Sequence, residues 1–102
     1  MSSEFTYSFT EKAASDIEST LHYLALEKEN KAAVRKFMAM LEKALSDICL
    51  FPESSPIIVN EFAPSIGVRK KLMGSYAMYY IPDINKRIIC VLRIIPAKME
   101  GF

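Results

Sequence analysis

The stretch Arg87-Ile88-Ile89-Cys90-Val91-Leu92-Arg93-Ile94-Ile95-Pro96 decides the fold. Its β-branched residues place apolar side chains on both alternating faces, and Pro96 stops the run. A strand with two apolar faces must be covered on both, so Arg87 to Ile95 is predicted to be the central strand of a sheet. The uninterrupted apolar part, Ile88 to Leu92, is far too short to span a bilayer. Toward the N-terminus, Pro82-Asp83-Ile84-Asn85-Lys86 reads as a turn and Tyr76 to Ile81 as an aromatic-rich strand. Gly74-Ser75 makes a short hairpin turn into a third strand, Val68 to Met73. That strand alternates, with Val68, Lys70 and Leu72 on one face and Arg69, Lys71 and Met73 on the other.

The first half of the chain has the helical period. After a short alternating strand, Phe5 to Phe9, Thr10 is a predicted N-cap, with Glu11 in the first turn where the helix dipole favours a carboxylate. Ala14, Ile17, Leu21 and Leu24 then recur at steps of three and four, giving a helix to about Lys28. Glu27-Lys28-Glu29-Asn30 is a polar link, and Asn30 can cap the next helix. Val34, Phe37, Leu41, Ala44, Leu45 and Ile48 form the apolar face of that second helix, backed by Met38 and Met40. Phe51-Pro52 ends it, because the residue before a proline avoids helical geometry. Pro52 to Gly67 is the one long non-periodic stretch, and loops of such length are usually functional or mobile. The order is β-α-α-β-β-β: an α+β fold, one domain over residues 1–102, with an antiparallel sheet packed against an antiparallel helical hairpin.

A chain of 102 residues, 51% hydrophobic and 25% charged, has room for one core and is not a disordered polypeptide. Met1-Ser2-Ser3-Glu4 lacks a basic stretch leading into an apolar segment, so no secretory signal is read there. Cys49 and Cys90 sit in apolar settings without metal-ligand spacing, as reduced thiols in a cytoplasm do. The formal net charge of +1 conceals an asymmetry. Residues 1–60 sum to −3 and residues 61–102 to +4. A polyanionic partner for the basic half and an ordinary solvated sheet face both fit that split.

Several segments, taken in order, resemble the ParE/RelE superfamily, the toxins of type II toxin–antitoxin modules. They are Tyr7-Ser8-Phe9-Thr10-Glu11-Lys12-Ala13-Ala14-Ser15-Asp16-Ile17, Leu50-Phe51-Pro52-Glu53-Ser54-Ser55-Pro56, and Gly67-Val68-Arg69-Lys70-Lys71. Gly74-Ser75-Tyr76 with Tyr79-Tyr80, and Val91-Leu92-Arg93-Ile94-Ile95, complete the set. The resemblance implies a cytoplasmic, growth-inhibiting toxin of the plasmid-stabilisation type, neutralised by a cognate antitoxin. That partner is expected to be partly disordered, folding on the toxin with an acidic amphipathic helix and an added strand. ParE-like members poison DNA gyrase without being hydrolases. RelE-like members cleave mRNA in the ribosomal A site, with basic residues and often a histidine or tyrosine near the end of the last strand.

Cleavage of RNA by its 2′-hydroxyl needs a base, an acid and cations on the phosphate. The single histidine, His22, lies about one residue step (roughly 100°) off the apolar stripe of the first helix and reads as a surface residue. After the last strand stand Pro96-Ala97-Lys98-Met99-Glu100-Gly101-Phe102, where only Lys98 keeps a positive charge. A nuclease would have to draw on Lys70, Lys71, Arg87, Lys98 and Tyr80, with Tyr76, Tyr79 or Glu61 as further acid–base groups. For contact with the target or the antitoxin, the expected residues are Arg69, Lys71, Arg93 and Lys98, with Met38, Met40 and Phe62 as apolar seats. Arg93 has a competing structural role, because an arginine in an apolar strand needs a partner such as Asp16 or Glu18. No glycine-rich phosphate loop or Cys/His cluster is present, so neither cofactor nor metal is expected. The expectation is a ParE-like gyrase inhibitor; the alternatives are a RelE-like endoribonuclease and a degenerate member without toxicity.

Overall fold

The computed structural model describes residues 4–27, 29–58 and 67–99. Along the chain run β1 (Thr6–Phe9), α1 (Glu11–His22), a π-helical turn (Tyr23–Glu27), α2 (Lys31–Leu50), β2 (Arg69–Met73), β3 (Tyr76–Asp83) and β4 (Ile88–Pro96). The expected α+β architecture is present, as a four-stranded sheet in the order β1-β4-β3-β2. β2, β3 and β4 form an antiparallel meander, whereas β1 runs parallel to β4, pairing Thr6 with Ile88 and Phe9 with Val91. The sheet is therefore mixed and not antiparallel throughout as expected, and β4 has a strand on each side, the central position expected of it.

Both helices begin as the sequence indicates. Thr10 Oγ1 accepts from the Ala13 N–H at 3.0 Å, and Asn30 Oδ1 accepts from the Ala33 N–H at 2.9 Å. The link between the helices turns at Glu29, whose φ of 46° lies in the left-handed region. On α1 the expected Ile17, Leu21 and Leu24 pack against the core, but the stripe begins at Ala13, which is fully buried, and Ala14 is exposed. Asp16 and Ile17 lie three and four residues beyond Ala13, so the buried stripe carries a carboxylate along with it. On α2 the buried residues are Phe37, Leu41, Ala44, Leu45, Ile48 and Cys49, with Val34 half-buried. Four strand ends differ in the meander, and β2 starts at Arg69, one residue after Val68. Pro82 and Asp83 extend β3, so the turn spans residues 84–87, and β4 starts at Ile88 and retains Pro96. Pro96 is tolerated because it is the terminal strand residue.

The main core lies between the helices and the sheet, around Phe37, Leu41, Ile48, Met78, Tyr80, Ile89, Val91 and Ile94. A second cluster joins Val68, Ala77, Tyr79 and Ile95, with Ile58, Ile81, Leu92 and Ala97 against it. The two sets alternate along β3, so each side of the sheet has its own apolar layer. At Leu92 the pairing slips: Tyr80 faces Val91 and Tyr79 faces Arg93, leaving Leu92 as the extra residue of a bulge.

Candidate functional site

The bulge and the short first strand together decide what Arg93 does. β1 ends at Phe9, opposite Val91, and the chain turns into α1; beyond Val91 no β1 residue pairs with β4. Helix α1 completes that edge instead. Thr10 Oγ1 donates to the Leu92 carbonyl at 2.9 Å, and Asp16 accepts from the Ile94 N–H at 3.0 Å. The same Asp16 carboxylate takes Arg93 in a two-point grip, from Nε at 2.7 Å and Nη2 at 3.0 Å. The hydrogen bond to Asp16 raises the pKa of the Arg93 guanidinium above its ordinary value, with burial opposing and Coulombic attraction adding. Arg93 is thus a tie between helix and sheet, the competing role the sequence left open.

Arg69 is engaged on the opposite side of the sheet. Its Nη1 donates to the carbonyls of Glu53 and Ser55, at 3.1 and 2.7 Å, and its Nη2 lies 3.6 Å from the Glu53 carboxylate. Across the β2–β3 ladder stands Tyr80, fully buried, whose hydroxyl donates to the Pro52 carbonyl at 3.0 Å. These two side chains hold the chain where it leaves α2. The held segment then pairs with β2: the Lys70 N–H donates to Pro56 and the Ile58 N–H to Val68. Lys71 lies 3.4 Å from Asp47 on α2, a carboxylate that Lys43 also approaches at 3.6 Å. Lys70 stands 5.9 Å over the Tyr79 ring.

Arg87 occupies the exposed turn with a φ of 55°, and its carbonyl accepts from the Thr6 N–H. Lys98 is exposed beyond β4 and has no polar partner among the described residues. Arg87 and Lys98 are separated by the whole of β4, roughly 30 Å of extended chain. The proposed cations and Tyr80 therefore do not converge on one point. His22 is exposed on the outer face of α1. Met38 and Met40 pack against the main core, while Glu61 and Phe62 lie outside the described residues. Among the described residues no group of His, Cys, Asp and Glu could hold a metal ion, and no helix is long and apolar enough to cross a membrane.

Two residues with a role at this surface went unnoticed in the sequence, Asp47 and Glu53. The signal for Asp47 was its i, i+4 spacing from Lys43. Together with Asp16 they neutralise Arg69, Lys71 and Arg93, so each tie joins the basic half of the chain to the acidic half. Removing these three pairs leaves a net charge of 0 in residues 1–60 and +1 in residues 61–102. Folding consumes the asymmetry seen along the sequence. Beside the Lys71–Asp47 pair, α2 and β2 enclose a groove of about 220 Å³ floored by Met40, Ala44, Met73 and Gly74, with Leu72 63% exposed at its edge.

The comparisons agree with this architecture. Over residues 7–101 the chain matches the family described as the ParE toxin of the type II toxin–antitoxin system parDE. Among solved structures, it is similar to a chain of the RelBE2 toxin–antitoxin complex of Mycobacterium tuberculosis, with 22% identity and a TM-score of 0.66, covering 91% of this chain and 98% of that one. A chain of the chromosomal ParDE system of P. aeruginosa matches with 19% identity and a TM-score of 0.65, over 95% of this chain and all of that one. The archaeal RelE–RelB complex of Pyrococcus horikoshii gives 15% identity and a TM-score of 0.56, over 95% and 99%. No curated protein matches. On the family match, which takes in almost the entire chain, and on the shared fold, the protein belongs to the ParE toxin family of type II toxin–antitoxin systems.

Proposed function

We propose that the chain acts as one ParE-like toxin domain in the cytoplasm, inhibiting DNA gyrase, stabilising the plasmid that carries it, and neutralised by a cognate antitoxin. The observation that carries this reading over RNA cleavage is the state of the side chains a nuclease would use. Tyr80 is buried with its hydroxyl bonded to Pro52, Lys71 is held by Asp47, and Arg87 and Lys98 stand at opposite ends of β4. A general base, a general acid and a phosphate clamp must meet within hydrogen-bond reach of one scissile phosphate. The antitoxin's seat is the groove between α2 and β2. Exposed Leu72 and the methionines Met40 and Met73 supply apolar surface, and Lys43 and Lys71, which share the single carboxylate of Asp47, leave the rim net positive for an acidic segment.

Induced expression with a purified gyrase assay tests the target. The expected result is accumulation of cleaved DNA–gyrase complexes, an SOS response with filamentation, and intact mRNA. Prompt translational arrest with cuts at A-site codons would replace this reading with the nuclease one. Unimpaired growth with no effect on either target would mark a member that has lost toxicity.

A further inference from the structure

The outer surface of the two helices carries charges that the toxin reading does not use. Along α1 and the π-helical turn, residues 11–27, Glu11, Asp16, Glu18 and Glu27 stand against Lys12 alone. Asp16 is taken by Arg93; Glu11, Glu18 and Glu27 are exposed. The link Lys28-Glu29 sums to zero. The start of α2 then reverses the sign, with Lys31, Arg35 and Lys36 exposed and no acidic residue among residues 31–36. Lys31 stands in the first turn, where the positive end of the helix dipole disfavours a cation, and no carboxylate in that turn offsets it. Among the described residues Glu18, Glu27, Lys31, Arg35 and Lys36 have no ion-pair partner. Farther along α2, Glu42 and Lys43 are again of opposite sign.

The shape of this surface suits another helix. A groove of about 460 Å³ lies on the acidic side, lined by Ser15, Ser19 and His22 together with Glu18, Tyr23 and Glu27. On the basic side, Ala32 and Ala39 are exposed on the same face as Arg35 and Lys36, and such small residues let a facing helix come close. Between the two zones the π-helical turn presents Leu26, 61% exposed, as apolar surface for the middle of a contact. A partner that neutralises both zones must be basic opposite α1 and acidic opposite the start of α2. A polyanion is repelled by the first zone and a polycation by the second. A second copy of this chain meets the condition, because a two-fold axis that sets α1 of one protomer on α2 of its partner makes the same complementary contact twice.

We infer that the chain pairs with a second copy through the outer faces of its helices. In each protomer the Glu18–Glu27 groove receives the start of α2, with its three cations, from the partner. The surface is separate from the Lys71 groove and independent of whether gyrase or mRNA is the target.

Sedimentation equilibrium of the purified full chain tests the pairing. At about 0.1 mM protein and about 0.05 M salt the chain is a dimer; in about 0.5 M salt, where the screening length is roughly threefold shorter, its dissociation constant rises about tenfold or more. Glu18→Arg with Glu27→Arg makes the α1 face basic, and Arg35→Glu with Lys36→Glu makes the start of α2 acidic. Each double variant alone is a monomer with the circular dichroism of the parent. Mixed in equal amounts the two variants form a heterodimer, because both contacts then join opposite signs. The inference is overturned by a monomeric parent at low salt, by a dimer that salt does not weaken, by a double variant that still dimerises alone, or by a mixture of the folded variants that stays monomeric.

Discussion

Asp16 shows how one side chain can stand in for a strand. It accepts one backbone N–H and two guanidinium N–H groups where β1 has run out, with the carboxylate 15% and Arg93 25% exposed. Asp16→Ala leaves a half-buried guanidinium and an edge amide without their acceptor, and is expected to cost on the order of 2 kcal/mol in denaturant unfolding. Arg93→Lys keeps the charge but not the fork, so it loses a large part of the same energy. Equal stability of Arg93→Lys and the parent would show that charge alone matters. Cys49 gives a pH dependence. Burial, helped by Glu4, pushes its thiol above the ordinary 9.0, so the unfolded chain ionises first as pH rises. The contribution is complete below pH 9.0 and is lost progressively above it. Cys49→Ala is expected to flatten that alkaline fall in a thermal-melt series, relative to the parent.

At the scale of elements, the β2–β3 hairpin depends on Gly74, with a φ of +64° and a Cβ position 2.6 Å from the Met40 sulfur. The sulfur ends a flexible side chain and can move, whereas the left-handed backbone cannot be relieved that way. Gly74→Ala is expected to cost about 1 kcal/mol or slightly more through the backbone. Its cost should add to that of Met40→Ala within about 0.5 kcal/mol. A large favourable coupling in the double mutant would instead make the steric contact the cause. Elements of this kind were legible from the sequence: both caps, the face of α2, and the central position of Ile88–Ile95 follow from local periodicity and capping chemistry. The parallel placement of β1 was not, because neither strand's pattern encodes which way its neighbour runs. Nor was the shift from Ala14 to Ala13, since two adjacent alanines are alike to a periodicity argument and the docking of Asp16 on β4 selects between them. The Tyr80–Pro52 bond joins residues 28 apart in sequence, beyond any local signal.

For the whole molecule, the basic triplet Arg69-Lys70-Lys71 reads as a polyanion footprint in sequence, yet Glu53, Asp47 and Tyr79 take up all three cations in the fold. Local pairing suppresses the extended positive field that non-specific polyanion binding requires. The protein is expected to leave a heparin column at low salt. Asp47→Asn frees Lys43 and Lys71 together and should shift elution to higher salt, at a stability cost under about 1 kcal/mol because the pairs are partly solvated. Tight heparin retention by the parent would contradict the pairing. The candidate contact residues were therefore readable as residue types but not as free or occupied charges.

The parallel junction of β1 with β4 also bears on the order of events during folding. Among the described strands β1 has its sheet neighbour only in β4, and the Asp16–Arg93 tie spans 77 positions. Until β4 is in place the sheet lacks its middle, and the helical hairpin has chiefly Met73, Met78 and Tyr80 of the β2–β3 hairpin to pack on. Native contacts of such long range form late and slowly. The sheet and the helix–sheet tie are therefore completed in one step, when β4 joins.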